Sequence, residues 1–129
     1  MGAQRDVTNI GGVNHLADGL MLPIKFKNLD TAIADEATAV IVGVTGKKLR
    51  VMKLWMQTAV ADALGVKFES AAGGTALASF QTIAAAAGSV VDAESQFGLF
   101  ETAAGEGLFV DLTGTSQRIT GFIVYVEVP

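Results

Sequence analysis

At 129 residues and a formal net charge of −4, with a sequence pI near 4.8, the chain is long enough for one domain and too acidic to be drawn to phosphate backbones. It has no cysteine, which excludes disulfides, thiolate metal sites and cysteine nucleophiles together. Half of the residues are hydrophobic but only 7% are aromatic, and Ala and Gly are frequent, so packing must be close or shared between subunits.

Residues 1–19 show neither helical nor strand period and carry Gly11, Gly12, Asn9 and Asn14. They read as an extended N-terminal arm, leaving 20–129 as a single domain. No basic region followed by an apolar stretch marks a signal peptide, and no segment approaches the roughly 20 apolar residues of a membrane span. The expectation is a soluble protein made in a cytoplasm, with no membrane partner.

The first strand candidate runs from Leu22 to Leu29, where Ile24, Phe26 and Asn28 alternate with Lys25, Lys27 and Leu29; Pro23 suits its start. Residues 30–38 read as a polar connection. Ala39 to Val44 is apolar on both faces, as in a strand buried on two sides. Lys48 to Thr58 is ambiguous, because Arg50, Lys53 and Gln57 recur at helical spacing. Val51, Trp55 and the Thr45-Gly46 turn favour a strand over a helix from Leu49 to Leu64. Ala59 to Ala63 then serves as a loop or short helical turn.

Leu64, Val66 and Phe68 point one way while Lys67 and Glu69 point the other. Ser70 to Thr75 reads as a turn in which Gly73 and Gly74 take positive φ, and Ala76 to Ile83 as the next strand. The Ala84–Ala87 run reads as a loop, with a close approach to another chain as the rival. Gly98–Thr102, Gly107–Thr113 and Gln117–Val128 complete the set. In the last, Phe122, Val124, Val126 and Val128 share one face, yet Ile123 and Tyr125 make the other apolar too. Such a strand is central, between layers or between subunits. About eight strands with regular turn signals predict an all-β, jelly-roll-like β-sandwich.

Catalytic groups are scarce. The only histidine, His15, lies in the arm, where an exposed or contact role fits better than catalysis. Glu101 and Glu106 flank a TAAG segment and could bind a hard cation or work as a glycosidase pair if they met across a hairpin; capping a turn is the simpler role. The Gly-Gly pairs lack the spacing and the Lys of a phosphate loop. The basic group Lys47, Lys48, Arg50 and Lys53 reads as a solvated strand edge. Trp55, Tyr125 and the Phe residues are scattered through strand patterns, as core residues are, rather than gathered into a sugar-stacking platform. Nothing here calls for a cofactor or a metal, and nucleic acid is not an expected partner.

The stretches GKKLRVMKLWMQ (Gly46–Gln57), GVKFESAAGGTAL (Gly65–Leu77), GLFETAAGEGLFVDLTG (Gly98–Gly114) and ITGFIVYVEV (Ile119–Val128) resemble small tailed-phage structural proteins of the capsid decoration, or cement, family. The resemblance covers roughly the last eighty residues. It implies a trimeric jelly roll on the outer capsid surface of the virion, with the arm contacting the major capsid protein. Arg5, Asp6, Asn9 and His15 would then supply the capsid contact, and Trp55, Phe122, Ile123 and Tyr125 the subunit interface. The expected function is a non-enzymatic cement protein that stabilises the head. The alternative is a trimeric carbohydrate- or receptor-binding module such as a fibre tip.

Overall fold

The computed structural model describes residues 14–17, 20–32, 35–58, 64–83, 90–113 and 118–129. Among these it places strands β1 (Asn14–Ala17), β2 (Leu20–Pro23), β3 (Lys25–Ala32), β4 (Lys48–Thr58), β5 (Leu64–Glu69), β6 (Ala76–Ile83), β7 (Val90–Glu94), β8 (Phe100–Glu101), β9 (Phe109–Thr113) and β10 (Arg118–Val128), and no α-helix. Every strand pairing is antiparallel. One sheet has five strands in the order β3-β10-β4-β7, with β8 also on β4; a second has the order β6-β5-β9; β1 and β2 form a separate hairpin.

The last strand thus lies inside the larger sheet, between β3 and β4. Its alternation sends Ile119 and Ile123 to the inner face beside Leu29 of β3 and Leu49, Val51, Leu54 and Met56 of β4. These meet Val66 and Phe68 of β5 and Val110 and Leu112 of β9 in a single core between the two sheets. Burying each such side chain contributes roughly 1.5–3 kcal/mol. The rival helix over Leu49–Leu64 is not formed, because β4 is tied by β10 on one side and by β7 and β8 on the other. Period 2 therefore prevails over the 3.6-residue spacing of Arg50, Lys53 and Gln57.

Four expectations change. Ala39–Val44 is not a strand: only Ile41 bridges, to Leu108, while Val42 and Val44 are exposed. The reason is a close crossing of two backbones. A Cβ on Gly43 would lie 2.5 Å from the Gly105 carbonyl oxygen, and one on Gly107 would lie 2.6 Å from that of Ile41. The candidate Leu22–Leu29 is broken at Ile24, and β3 runs on to Ala32. Val90–Glu94 is a strand that its weak alternation concealed. Part of the arm is also structured, since Asn14–Ala17 pairs with Leu20–Pro23. The expected Ala59–Ala63 loop and the Ala84–Ala87 run lie outside the described residues.

At the start of β4, Leu49 and Thr102 hold each other. The Leu49 N–H donates to Thr102 Oγ1 at 2.9 Å, and the Thr102 N–H donates to the Leu49 carbonyl at 3.0 Å. Thr102 is buried, so Thr102→Val strands the Leu49 donor away from water. We expect a loss of about 1–3 kcal/mol in chemical denaturation, with an unchanged denaturant slope; a midpoint equal to that of the parent protein would contradict the assignment.

Candidate functional site

The outer face of the five-stranded sheet carries a row of stacked aromatic rings. Register sets Asn28, Phe122, Trp55 and Asp92 side by side across β3, β10, β4 and β7, with Val124, Lys53 and Glu94 in the next row. Phe26 lies diagonally from Phe122, within reach for a ring. The rings of Phe26 and Phe122 stack with centroids 5.4 Å apart at 21°, and those of Trp55 and Phe122 at 6.1 Å and 13°. Phe26, at 65% exposure, stands open on the edge strand, and Val90 is exposed on β7. The same face continues along β10 to Val126 and Val128, where Leu22 and Ile24 pack over them and over Met52. One part of this apolar face is therefore covered by Leu22 and Ile24, and in the other part Phe26 is exposed while Phe122 and Trp55 are half-buried.

Phe122 is the middle ring of the stack, and Phe26, at its end on the edge strand, is the most exposed of the three. The row offers apolar ring surface on the outer face of the sheet. At its charged border one cation stands between two acids: Lys53 Nζ lies 3.8 Å from Asp92 and 3.7 Å from Glu94.

The expected interface residues divide between the two faces. Trp55 and Phe122 belong to the outer row. Ile123 is fully buried in the chain's own core, so its side chain cannot reach a second subunit. Tyr125 also faces inward; it packs on that core beside the Lys25–Glu127 pair, and partial burial raises its phenol pKa. Of the expected capsid-contact residues, Arg5, Asp6 and Asn9 lie outside the described residues, and His15 sits in β1 opposite Leu22. Phe26, Val90 and Met21 were missed as surface residues. Alternation alone showed that Phe26 and Lys27 face opposite ways, but not which face meets the core.

The basic group is not a sheet edge, because β4 is interior to its sheet. Arg50 pairs with Glu101, and Lys53 with the two acids of β7. Glu106 accepts from Ser70 Oγ at 2.6 Å, and that oxygen accepts from the Ala103 N–H at 2.8 Å. Glu101 and Glu106 thus serve separate partners. Glu69, on the face opposite Val66 and Phe68, is buried and accepts from the Gly73 N–H. In that turn only Gly73, at φ 72°, is left-handed; Gly74 is not.

A cleft of about 340 Å³ opens beside β3, lined by Lys27, Asp30, Thr31, Asp35 and Thr38. Its acids are already engaged, Asp30 by Arg118 and Asp35 by the Ala32 N–H. No group of three or more His, Asp or Glu among the described residues is placed to hold a metal ion. Among them no helix is long and apolar enough to cross a membrane.

Glu36, Asp111 and Glu69 converge between the 35–40 segment and the smaller sheet. The Glu36 carboxyl is raised above its ordinary 4.5 by partial burial, then by the repulsion and hydrogen bond of Asp111, with Glu69 adding to it. A raised carboxyl holds its proton more tightly in the folded state, so its contribution is complete below 4.5 and is lost as pH rises through the raised value. We expect Glu36→Gln to match the parent's melting temperature near pH 4 and to exceed it increasingly toward about pH 7. A pH-independent difference would count against this coupling.

Comparison of the chain with profiles of known protein families, with curated proteins and with solved structures found no match.

Proposed function

We propose that the chain is a non-enzymatic structural protein of a tailed-phage particle, a decoration protein that binds the major capsid protein lattice as a homotrimer on the outer capsid surface and stabilises the head. The resemblance of Gly46–Gln57, Gly65–Leu77, Gly98–Gly114 and Ile119–Val128 to that family motivates it. The observation that carries it is the row of stacked rings, exposed Phe26 with half-buried Phe122 and Trp55, on the outer face of an all-β chain. A protein that works by contact needs buried area, and a specific interface takes roughly 1,200–2,000 Å² in total. A jelly-roll arrangement of the two sheets is part of the same reading. Several weak lattice contacts joined through one trimer would act by avidity.

The fibre-tip alternative asks the aromatic row to hold a sugar, with exposed Phe26 as the ring on offer. Co-sedimentation of the full chain with undecorated capsids tests the proposal. Saturable binding and a higher capsid disruption temperature are expected; a chain left in the supernatant at all concentrations overturns it, and hits on a glycan array would transfer the reading to the fibre tip.

A further inference from the structure

β3 is an edge strand: β10 pairs with it on one side, and among the described residues no strand pairs with the other. The Ala32 N–H shows which backbone groups face that free side, because it donates away from β10 to Asp35 Oδ2 at 2.9 Å. Backbone direction alternates along a strand, so the N–H and C=O of Asn28 and Asp30 point outward as those of Ala32 do, while Leu29 and Thr31 bond to β10. Asn28 and Asp30 line the cleft of about 340 Å³, so their unpaired groups open into it. Asp35 closes the edge at Ala32. From Lys27 to Thr31 about 13 Å of strand edge remains.

The far wall is set by Thr38, Ala39 and Val40. The Val40 N–H donates to the Leu108 carbonyl at 2.7 Å, and Ile41 bridges to the same residue, so this wall is fixed at the start of β9 before any ligand arrives. The cleft also holds a buried polar group that the fold leaves unmet. Thr31 is 5% exposed and lines the cleft, yet among the described residues nothing hydrogen-bonds to its hydroxyl. Such a group costs stability in the free protein, and a ligand in the cleft would meet it.

We propose that this cleft takes an extended peptide segment of a partner protein as an added antiparallel strand on β3, with an acidic side chain opposite Lys27 and a hydroxyl side chain opposite Thr31. The peptide's main chain bonds to Asn28 and Asp30, and its alternate side chains supply the selection. Lys27, Leu29 and Thr31 share the inward face, at the pairs that make no backbone bonds and so bring facing side chains closest.

An inward-pointing charge on an edge strand discourages pairing in general. Among the described residues Lys27 has no ion-pair partner, since Asp30 is taken by Arg118. An apolar strand would lay its side chain against the ammonium, whereas a strand with a carboxylate there pairs with it. The charge that blocks general pairing therefore selects an acidic partner.

NMR titration of the full chain with the capped heptapeptide acetyl-TTVAVET-amide tests it. The peptide's second, fourth and sixth residues fall opposite Thr31, Leu29 and Lys27. Saturable binding with a dissociation constant below about 1 mM is expected, with the Asn28 and Asp30 amide signals moving most. N-methylation of both valines, whose N–H groups face β3, is expected to weaken binding about tenfold or more. Exchanging the peptide's glutamate for lysine is expected to weaken binding to the parent and restore it to Lys27→Glu. Thr31→Val is expected to melt no lower than the parent and to hold the peptide about threefold or more weakly. Sodium acetate alone is expected to leave the signals in place.

No saturable shift up to several millimolar peptide, shifts centred away from β3, or equal binding of the N-methylated peptide overturns the proposal. So do the same shifts with acetate alone, which would make the cleft a site for small carboxylates. A Thr31→Val melting temperature more than about 2 °C below the parent's would show that the hydroxyl is satisfied within the fold, and overturns it as well. The inference does not depend on the decoration reading: peptide binding without capsid binding upholds the one and removes the other.

Discussion

Gly121→Ala is expected to lower the thermal midpoint by roughly 10 °C or more, the cost of about 3 kcal/mol or more in a domain of this size. Gly121 sits in the middle of β10, opposite Leu29 of β3 and Met56 of β4, with φ at 154°. A Cβ built there lies 1.9 Å from the Trp55 carbonyl oxygen and 2.8 Å from the Met56 Cα. Both are backbone atoms of a central strand and cannot turn aside as a side chain would. The two strands would have to separate, which loosens the core below and moves Phe122 off Trp55 above. A midpoint within about 2 °C of the parent's would show that the strands can yield and that the close approach is not required.

Phe68→Ala is expected to cost about 3–5 kcal/mol in denaturant-induced unfolding. Phe68 is fully buried on β5 and meets the ring of Phe100, on β8 of the other sheet, at 5.4 Å and 33°. Its removal leaves a cavity between the sheets as well as lost apolar burial, and the backbones of β5 and β8 are each held by their own ladders, so collapse is limited. Phe68→Leu fills much of the space and should recover more than half of the loss. A loss below about 1 kcal/mol for the Ala variant would mean that the sheets close over the gap.

Much of the strand content was legible because period 2 is a local signal. Lys48–Thr58, Leu64–Glu69 and Ala76–Ile83 coincide with β4, β5 and β6. Alternation along the last strand also placed Phe122, Val124, Val126 and Val128 on a common face. Ala39–Val44 misled because an apolar run records hydrophobicity but not pairing; it crosses the start of β9 at one bridge instead of lying along it. Val90–Glu94 was hidden because its inner residues, Val91 and Ala93, are few and small.

The sequence by itself determined that this is an acidic, cysteine-free, β-rich chain with a central final strand, since charge, composition and side-chain alternation are properties of residues and near neighbours. Only the tertiary structure decided which face of each strand meets the core. Ile123 and Phe122 are adjacent and both apolar, yet the first is sealed between the sheets and the second is half-buried in the row on the outer face. That choice depends on which strands flank β10 and on β2 stopping short of Phe122. Both are contacts between residues far apart in the chain, which no local pattern encodes.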